Sequence, residues 1–213
     1  MTQAAIDTAI SGRPGPVYLE IPTDLFDKQV EKGRIGPSSK NLEVDLPGEL
    51  EQAVELIHQS RQPIIIAGTA ALRTGLGPEI IALAETLSAP VITTVQARGL
   101  IPEDHSHAFG YVARKDLDRV IRSCDLGIAV GTRLREVDGR NRGLRLPKLI
   151  HLDWDRRWIG KNFEAAVPLE GEVPAILRAL LHSIEPGPDM EKRQKWLKEM
   201  HEEADQALKK IRE

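Results

Sequence analysis

The sequence has little of what several protein classes require. Its 213 residues include one cysteine, so no disulfide framework can form, and a reducing, cytoplasmic setting is expected. Aromatic residues make up 4%, and Lys and Arg (29) do not outnumber Asp and Glu (32), so the stacking surfaces and basic excess of nucleic-acid-binding proteins are missing. No apolar run reaches the length of a membrane span, and the first residues lack the pattern of a signal peptide. We therefore expect neither nucleic acid nor a membrane as a partner.

The middle of the chain alternates between short apolar runs and amphipathic segments. The runs predict strands at residues 64–67, 90–95, 126–130, 149–153 and 167–169, and the periodic segments predict helices at 50–57, 76–87, 117–121 and 173–181. Wholly apolar, β-branched runs are typical of strands covered on both faces. Strands that alternate with helices predict a parallel sheet with right-handed crossovers. The predicted fold class is α/β: a doubly wound, Rossmann-like parallel sheet with helices on both faces, at residues 49–185.

The flanking segments differ from this pattern. Residues 4–11 suggest a short helix, and residues 16–21 suggest a strand entered through a Pro/Gly turn. Because a strand needs neighbours, we expect residues 1–30 to be the end of a preceding domain. A Gly/Pro/Ser-rich linker follows at 31–48. Residues 186–213 predict a charged helical linker whose apolar stripe either packs back on this domain or docks on another domain or subunit.

Four predicted loops follow strand ends, where doubly wound sheets bind ligands. Glycine lets the backbone approach a phosphate, arginine pairs with one, and an aspartate at a strand end can hold a ribose hydroxyl. The candidate cofactor-binding residues are Gly68, Thr69, Gly131, Thr132, Arg133, Asp153 and Asp155. The three spaced glycines of a dinucleotide fingerprint do not occur after the first predicted strand. A second interpretation, turn glycines around an empty site, therefore stays open.

Other reactive residues do not form a convincing catalytic group. Asp153 and Asp155 lie two apart on an extended segment; we expect one to cap a helix near 158–161 and the other to pair with Arg156 or Arg157.

The remaining metal and nucleophile candidates are weak. His105 and His107 have no further cysteine or histidine run to complete a metal site. Cys124 borders an apolar strand and is expected to be a buried small hydrophobe. No catalytic or metal-ligating residues are predicted.

Six motifs occur in order along the chain: residues 12–24 (GRPGPVYLEIPTD), 62–68 (QPIIIAG), 89–94 (APVITT), 101–105 (IPEDH), 123–134 (SCDLGIAVGTRL) and 150–162 (IHLDWDRRWIGKN). Together they resemble one family, the thiamine diphosphate enzymes of the acetolactate synthase, benzoylformate decarboxylase and oxalyl-CoA decarboxylase group. The first motif resembles the end of that family's pyrimidine-binding domain, and the other five resemble its central domain.

The resemblance implies a role within a larger enzyme. In the family, the catalytic glutamate lies in the first domain and the Gly-Asp-Gly…Asn motif for Mg²⁺ and diphosphate lies in the third, and no residue here matches either. The expected function is the non-catalytic central domain of a 2-keto acid decarboxylase or carboligase, inactive as the isolated chain. Its expected partners are the missing pyrimidine- and diphosphate-binding domains in a homo-oligomer. A self-standing nucleotide-binding module or a structural subunit is the alternative.

The resemblance also bears on nucleotides. Central domains of relatives bind FAD in acetolactate synthases and ADP in oxalyl-CoA decarboxylases, and Arg133 matches the flavin-contacting arginine. The sequence departs from the flavin pattern at residues 68–70, 111–113 and 135–136. These departures predict that FAD is not held and that the protein is colourless.

Overall fold

The computed structural model of the protein describes residues 2–10, 15–29, 46–111, 118–135, 144–186 and 189–212. The chain divides into two compact units, Met1–Val44 and Asp45–Glu213. The domain bounds predicted from the sequence stay a prediction, and most of the predicted linker at 31–48 lies outside the described residues.

The first unit contains helix α1 (Thr2–Ile10) and a 3₁₀ turn at Thr23–Leu25. The predicted helix is confirmed, but the strand predicted at 16–21 is wrong: residues 15–22 belong to no strand. Because the described residues of this unit contain no other strand, the backbone has no ladder to join, and Pro16 and Pro22 lack the amide that a ladder needs. Val17 and Ile21 keep 41% and 40% of their surface exposed.

The second unit contains a parallel six-stranded sheet among the described residues, in the order β3-β2-β1-β4-β5-β6. The strands are β1 (Pro63–Ala67), β2 (Val91–Thr93), β3 (Ala108–Tyr111), β4 (Leu126–Val130), β5 (Leu149–Asp153) and β6 (Val167–Glu170). The helices are α2 (Leu50–Gln59), α3 (Thr69–Arg73), α4 (Gly77–Leu87), α5 (Asp118–Ser123), α6 (Val173–Ser183) and α7 (Met190–Arg212). The predicted doubly wound α/β fold is confirmed.

Helices cover both faces of the sheet, as the apolar runs predicted. Ile65 and Ala67 of β1 pack with α2, α4 and α6, whereas Ile64 and Ile66 pack with α5 and α7. All four are fully buried. This division follows from the period of two, which sends successive side chains of a strand to opposite faces.

The first part of helix α7 packs back on the rest of the second unit, which confirms the first of the two expectations for the part of the stripe whose side chains the structure describes. Trp196, Leu197 and Met200 are buried in the core of the α5 face. Arg193, only 2% exposed, donates to the carbonyls of Ile57 and Leu87, at the carboxyl ends of α2 and α4. One helix therefore closes the core and adds a side-chain donor to carbonyls at the carboxyl ends of two other helices, of which the Ile57 carbonyl also accepts the N–H of Ser60.

Three local predictions differ from the structure. The loop expected after residue 68 begins with α3, and β3 was not predicted. Residues 156–160 form turns instead of the expected helix near 158–161.

Among the residues that the structure describes, none of the helices combines the length and apolar character that a bilayer crossing needs.

Candidate functional site

The strand order creates a switch point between β1 and β4. From β1 the chain moves outward to β2 and β3, and from β4 it moves the other way to β5 and β6. Crossovers on opposite sides of two adjacent strands leave a crevice beyond their carboxyl ends, where sheets of this type bind ligands. We refer to this carboxyl end of the sheet, with the loops that follow β1, β2, β4 and β5, as the carboxyl edge.

The two glycine loops at the switch point are joined directly. Gly68 donates its N–H to the carbonyl of Val130 at 2.9 Å, and Ala70 donates to the carbonyl of Gly131 at 3.1 Å. Gly131 has φ +59°, a conformation that favours glycine. The structure thus brings Gly68, Thr69, Gly131 and Thr132 together, and Thr69 is the half-buried member of the group.

The loop after β2 reaches the same place. The Thr69 hydroxyl lies 3.4 Å from Gln96 Oε1 and donates to it. Arg98, further along, pairs with Glu103 at 3.3 Å. The β2 loop therefore supplies Gln96 to the switch point.

Arg133 lies against the turn that follows β5. Its guanidinium carbon is 4.4 Å from the centre of the Trp158 ring, and the Lys161 ammonium is 4.2 Å from the same centre. The Asn162 amide donates to the Arg133 carbonyl at 2.9 Å. Two cations within about 5 Å of the centre of a half-buried indole ring form a favourable cation–π arrangement. It places two positive groups at the carboxyl edge.

The two aspartates after β5 have different surroundings. Asp153 is fully buried, and its Oδ1 accepts the N–H of Asp155 at 3.1 Å. Asp155 is half-buried and forms a two-point pair with Arg157, at 2.9 Å to Nε and 2.8 Å to Nη2. The predicted pairing with an adjacent arginine is confirmed, and the pairing occupies the carboxylate that faces outward.

An open concavity of about 510 Å³ lies beside this turn. Its lining includes three cations and one carboxylate: Arg156, Arg157, Lys161 and Glu164. Because Arg157 is paired with Asp155, the other charges of the lining, Arg156, Lys161 and Glu164, sum to one positive charge in a chain whose net charge is −3. Phosphate groups are the ligands that such a charge favours.

His151 is a buried polar residue within β5. It is 1% exposed, and burial lowers the pKa of its imidazole. Its Nε2 lies 2.7 Å from the carbonyl of Thr132, and its Nδ1 lies 3.3 Å from the amide nitrogen of Gly160. The two nitrogens therefore contact the loop after β4 and the turn after β5.

The other sequence candidates do not form a site in the described part of the chain. No three His, Cys, Asp or Glu side chains there converge as metal ligands. His105 lies 3.5 Å from Glu85. Cys124 is buried, as predicted, and burial followed by the negative charge of Asp125 raises the pKa of its thiol to about 12.

Sequence reasoning missed five residues of the carboxyl edge: Gln96, His151, Trp158, Lys161 and Asn162. A signal existed for one of them, because His151 is the polar residue inside an apolar run and buried polar groups need partners. Gln96 meets Thr69 only because the loops after β1 and β2 are neighbours, and Trp158, Lys161 and Asn162 meet Arg133 only through the folded turn after β5.

Comparison with known proteins gives a consistent assignment. Residues 50–180 match the family model described as thiamine pyrophosphate enzyme, central domain. The chain is 34% identical over 94% of its length to the "Probable acetolactate synthase large subunit" of Methanocaldococcus jannaschii, of which it covers 36%. It is 31% identical over 84% of its length to the "Acetolactate synthase large subunit" of Corynebacterium glutamicum, of which it covers 30%. The chain therefore spans about a third of the length of these curated relatives.

Proposed function

The chain belongs to the thiamine pyrophosphate enzymes, whose central domain it contains, and from that premise we propose that it is the non-catalytic central module of an acetolactate synthase-like enzyme. The match of residues 50–180 to the central-domain model carries this proposal. The whole enzyme would decarboxylate a 2-keto acid such as pyruvate and transfer the resulting unit. Cofactor chemistry of this kind requires protein groups that bind and orient the cofactor.

Thiamine diphosphate is the cofactor of the family, and we propose that the described residues of this chain do not hold it. No group of three potential metal ligands converges among the described residues, and no acidic cluster replaces it. We therefore assign thiamine diphosphate and Mg²⁺ to flanking domains of the whole enzyme, and derive no reaction step from this chain.

The flanking domains are also the proposed partners of the first unit. Val17, Tyr18, Ile21 and Phe26 are 41%, 85%, 40% and 73% exposed within the single chain. Burial of such side chains contributes roughly 1.5–3 kcal/mol each. We propose that the sheet of a pyrimidine-binding domain covers this segment in a cytoplasmic homo-oligomer.

A chimera tests the proposal. The chain replaces the central segment of the Corynebacterium glutamicum relative, and acetolactate formation from pyruvate is measured with thiamine diphosphate and Mg²⁺. We expect activity in the chimera and none in the isolated chain or in a version with the central segment deleted. Turnover of pyruvate by the isolated chain, or an inactive but folded chimera, would contradict the proposal.

We also propose that the carboxyl edge of this module binds the ADP portion of a nucleotide. The support is the meeting of four loops at the switch point, together with the cations Arg133 and Lys161 beside it. Arg133, Thr69 and the outer part of the turn are the half-buried groups that a diphosphate could reach. Gly68, Gly131 and Thr132 shape the backbone there, and Asp153 and Asp155 position the turn.

A thermal-shift comparison of ADP, FAD, CoA and NAD tests the nucleotide proposal. A ligand at about 100 times its dissociation constant adds about 2.7 kcal/mol of stability. We expect ADP to raise the melting temperature and Arg133→Gln to abolish the rise. Arg178→Gln is the matched control, because Arg178 is an exposed arginine of α6 paired with Glu79. An equal rise in both variants, or none in the wild type, would overturn the proposal.

A further inference from the structure

His151 has both ring nitrogens engaged in the interior of the protein. The carbonyl of Thr132 can only accept a hydrogen bond, so the Nε2 atom, 2.7 Å away, donates. The amide of Gly160 can only donate, so Nδ1, 3.3 Å away, accepts. The partners therefore select the neutral tautomer with its proton on Nε2.

Thr132 and Gly160, the partners of His151, lie in the segments that contain Arg133 and Trp158. Thr132 directly precedes Arg133 in the loop after β4, and Gly160 lies two residues after Trp158 in the turn after β5. Gly160 has φ +74°, so this turn depends on a backbone conformation that few other residues adopt.

The loop after β4 and the turn after β5 also make two contacts directly with each other. Asn162 donates to the Arg133 carbonyl at 2.9 Å, and the Arg133 guanidinium lies over Trp158 at 4.4 Å. These contacts join one loop to the other, whereas His151 joins both loops to the sheet. Since strand β5 pairs with β4 on one side and with β6 on the other, the histidine provides a rigid reference for both loops.

We propose that His151 is the positioning residue of the carboxyl edge, and this proposal depends on the ADP-binding role proposed above. By holding Thr132 and Gly160 at a set separation, it keeps the Arg133 guanidinium stacked on Trp158 and oriented for a diphosphate. His151 is 1% exposed and would not touch the ligand. Its effect is preorganisation: a side chain already held in its binding arrangement loses less freedom when the ligand binds.

A merely structural histidine would also be buried and hydrogen-bonded, so the test needs substitutions that cut one link at a time. His151→Asn retains an acceptor near the Nδ1 position, and His151→Gln retains a donor near the Nε2 position. Ile80→Val on α4 is the matched control, because it removes one buried methyl group from a residue that makes no hydrogen bond to the loops after β4 and β5 through its side chain.

Two measurements are made on each variant. Calorimetry gives the dissociation constant of ADP. The ¹H–¹⁵N spectrum of the three tryptophan indoles reports the surroundings of Trp154, Trp158 and Trp196 separately, with Trp158→Phe identifying the Trp158 signal. The Trp196 indole, which donates to Ser123 Oγ at 3.3 Å, is the internal reference.

We expect both histidine variants to shift the Trp158 signal, to leave the Trp196 signal in place and to weaken ADP binding about tenfold, the loss expected for one orienting hydrogen bond. Ile80→Val should leave the Trp158 signal and ADP affinity unchanged. Variants that keep the wild-type Trp158 signal and affinity would overturn the proposal. If wild-type protein does not bind ADP, the nucleotide role is wrong, and an unshifted Trp158 signal in the variants then separately excludes positioning by His151.

A measurement on the unsubstituted protein covers the case in which the variants do not fold. The ¹⁵N spectrum of the His151 ring at neutral pH should show the neutral tautomer with hydrogen on Nε2. A ring protonated on Nδ1 would require a different partner from the Gly160 amide, and would contradict the proposal.

Discussion

Gly68 faces the carbonyl oxygen of Gly131 so closely that a β-carbon on Gly68 would lie 2.4 Å from that oxygen. The same β-carbon would lie 2.4 Å from Cβ of Thr132 and 2.6 Å from its Cα. Two of these neighbours are backbone atoms, which cannot rotate away as a flexible side chain can. The close approach of the β1 and β4 loops therefore depends on the missing side chain at residue 68.

Gly68→Ala should destabilise the second unit and displace the loop after β4. Overpacking of this kind typically costs about 1–3 kcal/mol, so we expect a loss in that range of the free energy of unfolding in urea. Gly48→Ala is the control, because a β-carbon there meets nothing within 4 Å. Equal stabilities of the two variants would show that the loops have room to separate.

Arg193→Met should detach the beginning of α7 from the carboxyl ends of α2 and α4. The substitution leaves buried carbonyls of Ile57 and Leu87 without this donor, and hydrogen bonds from charged groups contribute about 1.5–3 kcal/mol. Because burial of the guanidinium offsets part of that gain and lowers its pKa, we expect a net loss of about 2 kcal/mol in urea unfolding.

Lys192→Met on the same helix is the matched control for Arg193. Lys192 is exposed and pairs with Asp189 at 2.6 Å, so its loss should change the free energy of unfolding by less than about 1 kcal/mol. A similar effect of both substitutions would mean that Arg193 does not anchor α7.

The stability of the second unit should fall as the pH decreases below about 6.5, the usual pKa of histidine. Burial lowers the pKa of His151, and burial followed by the charge of His105 lowers that of the half-buried His107. The folded state therefore favours the neutral rings, and the unfolded state binds more protons. The contribution of these histidines to the free energy of unfolding is complete above their pKa in the unfolded chain. It is lost as the pH falls from there through their lower pKa in the folded protein.

Urea unfolding at several values between about pH 7 and pH 5 measures this dependence. Each such histidine contributes at most about 1.4 kcal/mol per pH unit. His151→Gln should reduce the slope, because glutamine does not titrate. A wild-type stability that rises on acidification in this window would contradict the assignment of neutral, buried rings.

Cys124 should resist alkylation until the protein unfolds. The residue is 3% exposed, and a thiol pKa of about 12 leaves little of the reactive thiolate at neutral pH. We expect iodoacetamide to react at least about 100-fold more slowly with folded protein than with protein in urea. Equal rates would show that the α5 face of the core opens easily.

Several elements were predictable because their signals are local. The run at 64–67 is wholly apolar and β-branched, and it forms a strand covered on both faces. Pro78 lies in the first turn of α4, where the fixed φ of proline suits a helix and its missing N–H costs no hydrogen bond. Segment 173–181 became most of α6. Each of these elements is determined by residues that lie close together in the sequence.

Other elements had no decisive local signal. Strand β3 is a four-residue run that contains Gly110 at φ +74°, and pairing with β2 is what makes it a strand. Residues 16–21 have the apolar pattern of a strand, but none of the described residues of the first unit forms a strand that could pair with them. Strand formation depends on a partner as much as on propensity.

For the candidate site, the sequence determined which residue types follow each strand: Gly68 after β1, Gly131 and Arg133 after β4, and Asp153 at the end of β5. It also determined the family, through motifs that occur in order along the chain. Only the tertiary structure decided that β1 and β4 are neighbours and that His151 joins the loops on either side of it. The physical reason is range. Propensity and periodicity act over a few residues, whereas the pairing of β1 with β4 joins segments about 60 residues apart, and the contacts of His151 with Thr132 and Gly160 span 19 and 9 residues.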